Sequence, residues 1–345
     1  MLTDNARIAV LLHGGIRGTQ GKTGLALVRY RPETIAVIID RDCAGASLRS
    51  LTQIPCDVPI VASVAEALAY QPTVLAIGIA PSGGILPEAW YGELQAAIAA
   101  HLSIMNGLHT RMSTLPEFQS SLQPGQWIWD IRQEPPRLKV GSGAARSLPC
   151  RRVLTVGTDM GVGKMATSLE LHHASQKRGM RSRFLGTGQA GIMIAGDGIA
   201  LDAIRVDFAS GAVEQMVMRY GHESEILHIE GQGSLMSPAS TATLPLIRGS
   251  QATHLILVHR AGQTHLRTFS DVTIPPLPRV IQVYETVAAA GGSFAPTQVV
   301  GIALNTAHLS EEAAKQAIAQ VRQETGLPCT DPVRLGADEL LDAVC

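Results

Sequence analysis

Apolar and polar positions change their period repeatedly along the chain, and that alternation predicts the elements. Nearly continuous, β-branched apolar runs occur at "RIAVLL", "TIAVIID", "VPIVAS" and "TVLAIGIA". Runs of this kind, without a polar alternate, predict strands buried on both faces. Between them, residues 21–30 and 87–101 carry apolar positions at helical spacing. Strand and helix in alternation are the signature of a parallel α/β sheet.

From about Leu122 the periodicity stops. The stretch "QPGQWIWDIRQEPPRLKVGSGAARSLP" is rich in Pro, Gly and Ser, which predicts a linker between domains. The expected division is a first α/β domain over residues 1–125, a linker over 126–150 and a second α/β domain over 151–345. In the second, "RVLTV", "ILHIE", "HLILVH" and "QVVGIAL" are the predicted strands. A helix is expected over residues 164–178, stopped by Gly179 with Lys177 and Arg178 in its last turn. A second is expected over "SEEAAKQAIAQVRQETG", where Ser310 can cap the amides and Glu311 and Glu312 suit the positive end.

Composition narrows the function classes. With 345 residues, 46% hydrophobic, 17% charged and 34 of them glycine, the chain can bury two cores. A net charge of −1 without a long run of Lys or Arg argues against a nucleic-acid partner. Five cysteines, an odd number and without any C-x-x-C pair, argue against a disulfide framework or zinc site and suit a reducing cytoplasm. The apolar run at the N-terminus is too short for a signal peptide, and none is long enough to span a bilayer. The expectation is a cytoplasmic protein without a membrane partner; a homo-oligomer is left open.

The candidate chemistry centres on "VLTVGTDMGVGKMATSLEL", residues 153–171, where an apolar strand turns through glycines into a helix. Such a turn aims several backbone N–H groups and a helix dipole at one point, and that point attracts phosphate. Gly157, Thr158, Asp159, Gly161, Val162, Gly163, Lys164 and Met165 are the candidate binding residues. The glycines permit close approach, and Lys164 supplies a point charge for outer phosphates. Met165 stands where such loops commonly carry a hydroxyl for magnesium. An echo occurs near the N-terminus, where Gly21, Lys22 and Thr23 follow a strand and Arg17 is near. There the spacing Gly15 to Gly21 equals that of Gly157 to Gly163, and either a second anion site or a plain βα turn is consistent with it.

The segment "GTDMGVGK" resembles the phosphate loop of dethiobiotin synthetases, and "HIEGQGSL" and "VVGIALNT" resemble later strands of that family. That resemblance implies a nucleotide contact for Glu230, Gly231 and Asn305 and a magnesium site at Asp159 and Glu230, with Thr167 more distant. A second resemblance covers nearly the whole chain. "IIDRDCAG", "MNGLHTRM", "GTDMGVGKM", "GTGQAGIMIAGDGIALDAIRVDFASGAVE" and "EGQGSL" are similar to the D-glutamate N-acetyltransferase-like family. It implies a Rossmann-like N-terminal domain, a P-loop C-terminal domain, and transfer of acetyl from acetyl-CoA to the amino group of D-glutamate. Coenzyme A carries a pyrophosphate, so a cradle lacking a magnesium hydroxyl can hold it without phosphoryl transfer. The alternatives are a ligase or kinase-like enzyme using ATP and magnesium, and a nucleotide-sensing regulator.

Acyl transfer to an amine needs a base and donors for the developing oxyanion. Among eleven histidines, His109 follows a strand-like segment beside Arg111, and His259 and His265 flank "RAGQTH". In the glycine-rich stretch after residue 186, Gln189, Asp197, Asp202, Arg205 and Asp207 are polar candidates. Asp197 or Asp202 can meet an amine, and Arg205 a carboxylate. His109, Asp197 and Arg205 are the expected catalytic set.

Overall fold

The computed structural model describes residues 6–292, 294 and 297–345. Residues 1–5, which precede the apolar N-terminal run, lie outside the described residues. The chain divides into two compact units: Met1–Gln133 with Gln189–Ala203, and Glu134–Gly188 with Ile204–Cys345.

The first unit is built on six strands: β1 (Ile8–Leu11), β2 (Ile35–Ile39), β3 (Ile60–Val61), β4 (Val74–Ile77), β5 (Ser103–Asn106) and β6 (Ile128–Asp130). They pair in the order β3-β2-β1-β4-β5-β6, and every pair is parallel. That is the doubly wound dinucleotide-fold order. Each residue of β1, β4 and β5 is buried, as continuous apolar runs require when helices cover both faces. The predicted helices appear as Lys22–Tyr30 and Tyr91–Ala99, the latter preceded by a 3-10 turn, Glu88–Trp90.

The second unit has strands β7 (Arg151–Gly157), β8 (Ser182–Leu185), β9 (Ile226–Ile229), β10 (His254–Arg260), β11 (Gln298–Asn305) and β12 (Cys329–Thr330), in the order β12-β11-β10-β7-β9-β8. All of its pairs are parallel too. The helix Lys164–Lys177 follows β7 directly, and its flank joins Leu171 and Ala174 to a core with Val153, Ile226, Ile256 and Leu340. The helix Glu311–Thr325 forms as expected, with the Ser310 side chain accepting from the Ala313 amide and Gly326 closing it at φ 70°.

Two expectations about organisation change. The segment expected as a linker contains β6, which pairs with β5 through Ile104–Ile128 and Asn106–Asp130, so the first unit continues to Gln133. Three residues between prolines and glycines are too few to show a period. The second unit is also interrupted: residues Gln189–Ala203 leave it after β8 and pack in the first unit, where the helix Gln189–Ala195 lies against Lys22–Tyr30. There the Met193 methyl packs closely on Gly107, 2.9 Å from where a Cβ would be. No described helix is long and apolar enough to cross a membrane.

Candidate active site

The geometry of the loop after β7 starts with buried hydroxyls. Thr155, inside β7, bonds Ser168 Oγ at 3.0 Å on the following helix and accepts the Gly231 amide at 2.9 Å from the end of β9. Strand, helix and neighbouring loop are thereby locked together. Gly231 cannot be another residue, because its Cβ would fall 1.7 Å from the Thr155 carbonyl oxygen. The turn itself needs left-handed backbone at Gly161 (φ 70°) and at Gly163 (φ 120°), conformations that side chains disfavour.

Partners from the helix Leu277–Val287 and from two strand ends brace the loop. Tyr284 donates its hydroxyl to the Gly157 carbonyl at 2.7 Å. Thr158 Oγ1 bonds His259 Nδ1, at the end of β10, at 2.9 Å, and burial lowers the His259 pKa to about 4, so the ring is neutral. Asn305, at the end of β11, donates Nδ2 to the Val162 carbonyl at 2.9 Å. It thus reaches the loop backbone.

Lys164 is the first residue of the helix and is buried, its Nζ donating to the Asp159 carbonyl at 2.8 Å. Desolvation lowers its pKa from 10.5 to about 8, against the opposing pull of Asp159 and Glu230. Glu230, just past β9, shows the converse: burial raises its pKa to about 7, although the Thr187 and Gly188 amides donate to Oε2 at 2.8 and 3.1 Å and Lys164 favours its charge. Burial thus brings both titrations towards neutral pH, with Lys164 still mostly an ammonium at pH 7 and Glu230 near its midpoint.

Asp159 is 1% exposed and its oxygens are occupied. Oδ1 accepts the Met160 amide at 2.7 Å, and Oδ2 accepts Gln263 Nε2 at 2.7 Å and the Arg267 amide at 2.8 Å. This carboxylate clips the loop after β10 onto the phosphate loop. As a result the Arg267 guanidinium lies 3.2 Å from where a Cβ on Gly161 would be. Arg267 carries no motif, and Gln263, within "RAGQTH", has no local mark of this role; the fold brings both here.

Magnesium does not suit this donor set. It needs near-octahedral oxygen ligands, whereas Met165 offers a thioether, Asp159 already accepts three N–H donors on its two oxygens, and Glu230 favours its protonated form up to about pH 7. Among the described residues no group of three or more His, Cys, Asp or Glu is arranged around a metal position. A cavity of about 610 Å³ in this unit, walled by Ser142, Asp207, Arg248 and Phe294, contains none of the loop residues. A cradle of N–H vectors is an open surface rather than an enclosed volume.

In the first unit, the loop before Lys22 turns its amides inward. Asp40, fully buried at the end of β2, accepts Gly14 N at 3.2 Å and Ile16 N at 3.3 Å. These donors already hold the chain's own carboxylate, and Thr23 is buried, its hydroxyl 3.4 Å from Gln189 Nε2. His109 and Asp197 fall in this unit, and Arg205 in the other. Arg205 is taken up by Glu134, which accepts its Nε at 2.9 Å, its second terminal nitrogen at 2.6 Å and its amide at 2.8 Å. Asp197 accepts the Gly198 amide at 2.8 Å, as an aspartate in a turn does. His109 meets Arg132 and Asp202 instead.

Comparison with known proteins agrees with this layout. Residues 41–134 match the model described as "Domain of unknown function (DUF1611_N) Rossmann-like domain", and residues 139–341 that of "Domain of unknown function (DUF1611_C) P-loop domain". A crystal structure of a DUF1611 family protein from Anabaena variabilis is 65% identical, with a TM-score of 0.95 over 99% of both chains. A protein of Tritonibacter scottomollicae named D-glutamate N-acetyltransferase is 34% identical over 94% of this chain and 93% of its own. One of Pseudoalteromonas with the same name is 36% identical over 82% of this chain and 84% of its own. The chain belongs to the DUF1611 family, with a Rossmann-like N-terminal and a P-loop C-terminal domain.

Proposed function

We propose that the protein is an N-acetyltransferase that moves acetyl from acetyl-CoA to the amino group of an amino acid such as D-glutamate. The observation that carries the reading is the cradle at residues 157–164, with Lys164 at its mouth, in a chain whose relatives over most of its length bear the transferase name. In this reading the cradle holds the donor's pyrophosphate. The amides of residues 161–164 and the helix dipole meet the phosphate oxygens, since the Met160 amide is held by Asp159, and Lys164 and Arg267 supply positive charge. No step passes through magnesium, whose ligands this loop does not provide. Phosphate oxygens beside Lys164 favour its ammonium form, so donor binding at pH 8 and above takes up a proton.

Chemically, the protein's part on the donor side is binding and orientation: the phosphates are fixed so that the thioester end is presented in one place. The test is to incubate the protein with acetyl-CoA and D-glutamate while following thiol release, and in parallel with Mg-ATP and a panel of amino acids while following ADP. Thiol release that depends on the amino acid is the expected result. ADP release without any thiol release overturns the reading and favours the ligase alternative.

A further inference from the structure

Two of the motifs that carry the family resemblance, "NGLHTRM" and "GDGIALDAIRV", are about ninety residues apart, and neither touches the phosphate loop's chemistry described above. The first unit brings them together. Its loop after β5 is pinned by a buried pair: Asn106 donates to Asp130 Oδ1 and to the Thr110 carbonyl, both at 2.7 Å, while Asp130 accepts the Met112 and Ser113 amides at 3.1 and 3.0 Å. The His109 amide donates to the Gly84 carbonyl at 2.8 Å. Gly84 has φ 63°, and a Cβ there would overlap the His109 ring. His109 is thus positioned by loops following β4 and β5.

Arg132 comes from just beyond β6 and Asp202 from the inserted segment. Arg132 NH1 contacts His109 Nε2 and lies 3.2 Å from Asp202 Oδ2, which is 3.9 Å from His109 Nε2. Guanidinium only donates, so the His109 nitrogen facing it is the acceptor. The Arg132 side chain is 11% exposed, and its Nε is buried with no hydrogen-bond partner. Asp202 and His109 are 38% and 44% exposed. A fixed guanidinium, beside an accessible carboxylate and an accessible base, stands at the carboxyl edge of a doubly wound sheet, where such folds bind ligands.

We infer that His109, Arg132 and Asp202 form a site for an α-amino acid, whose carboxylate takes the Arg132 N–H groups and whose ammonium faces Asp202 and His109. This rests on the transferase reading for its chemistry, since the bound amino acid is then the acetyl acceptor. As the substrate carboxylate draws the Arg132 N–H groups to itself, His109 Nε2 is released to take one proton from the ammonium, and the freed amine attacks the thioester carbonyl carbon. The new C–N bond forms as the C–S bond breaks, and the thiolate leaves with a second proton from that nitrogen. His109 returns its proton to solvent, so the products are the N-acetyl amino acid, the free thiol and one proton.

The test uses the full chain with D-glutamate varied at saturating acetyl-CoA, and calorimetric titration of D-glutamate. Arg132→Lys keeps the charge and loses the planar fork, and should raise the amino-acid KM roughly 10- to 100-fold with the acetyl-CoA KM unchanged. Asp202→Asn should raise it about tenfold. His109→Gln should lower kcat on the order of 100-fold or more with amino-acid binding retained, and its remaining activity should climb with pH as free amine accumulates. Unchanged amino-acid KM in both Arg132→Lys and Asp202→Asn, with transfer intact, overturns the site. If the wild-type protein transfers no acetyl, the transferase reading fails on its own. D-Glutamate binding that Arg132→Lys weakens then still supports the site, and binding that is absent or unaltered overturns it. An unaltered acetyl-CoA affinity or circular dichroism spectrum shows that each variant is folded.

Discussion

Replacing Lys164 by methionine should weaken donor binding while leaving the protein as stable as before or more stable. The buried ammonium has its pKa lowered from 10.5 to about 8, a difference of about 2.5 units, or roughly 3 kcal/mol that the native state bears to keep the charge. Lys164→Met removes that penalty at similar length but strands the Asp159 carbonyl, which accepts from Nζ at 2.8 Å, at about 1–3 kcal/mol. The net expectation lies between no change and about 2 kcal/mol of stabilisation at pH 7. Between pH 8 and 10.5 the unfolded lysine binds the proton that the native one has lost, so wild-type stability rises there and the gap to the variant closes. Binding moves the other way: a unit charge about 4 Å from a phosphate oxygen at an effective dielectric of 20 contributes about 4 kcal/mol. Allowing for the amides that remain, acetyl-CoA affinity should drop about 100-fold or more. Urea unfolding at pH 7 and 10, with calorimetric titration of acetyl-CoA, reads both quantities. A variant destabilised by more than about 2 kcal/mol, or one that keeps wild-type donor affinity, would refute the idea that this charge is retained for an anion.

Glu230→Gln should flatten the pH dependence of stability. The carboxyl is protonated in the native state up to about pH 7 but ionises near 4.5 when unfolded, so wild-type stability is lost as pH rises through that window, by roughly 3 kcal/mol at most. Gln can still accept the Thr187 and Gly188 amides, and urea unfolding at pH 5 and 8 should show the variant gaining on wild type at the higher pH; an equal gap at both would contradict it. Arg267→Gln should raise the acetyl-CoA KM about 3- to 10-fold at low salt, with the effect shrinking as salt is added; a salt-independent effect would mean the guanidinium acts by packing. Gly231→Ala should cost roughly 4 kcal/mol or more, because the methyl would lie 1.7 Å from the Thr155 oxygen, and a soluble variant with wild-type melting would show that the loop can move.

How much of this was readable beforehand depends on whether a feature repeats along the chain or arises by convergence. The buried strands β1, β2, β7, β9, β10 and β11 announced themselves as apolar runs, and Gly157 to Lys164 as an ordered series of strand, glycine, lysine and helix. By contrast β6 and β12, three and two residues long, have no period to detect. β8, "SRFL", begins with two polar residues and so shows no apolar run. Within the site, Lys164 could be picked by spacing and Glu230 through a family resemblance, whereas Arg267 and Gln263 matter because Asp159 accepts from both. The expected trio of His109, Asp197 and Arg205 illustrates the limit. His109 has charged neighbours, but they are Arg132 and Asp202, and Arg205 is engaged by Glu134 through side chain and amide. Which charges find each other is decided by sheet order and by the excursion of residues 189–203, and neither leaves a local mark.

That excursion also bears on how the molecule can be taken apart or inherited. Because the polypeptide passes between the units at 133–134, at 188–189 and again at 203–204, no single cleavage yields two whole halves. A fragment ending at Gln133 lacks the helix that covers Lys22–Tyr30, and one starting at Glu134 carries that helix without its bed. Gene fusion or shuffling that treats the halves as interchangeable cassettes would break both, so they must be transmitted, and expressed, as a pair.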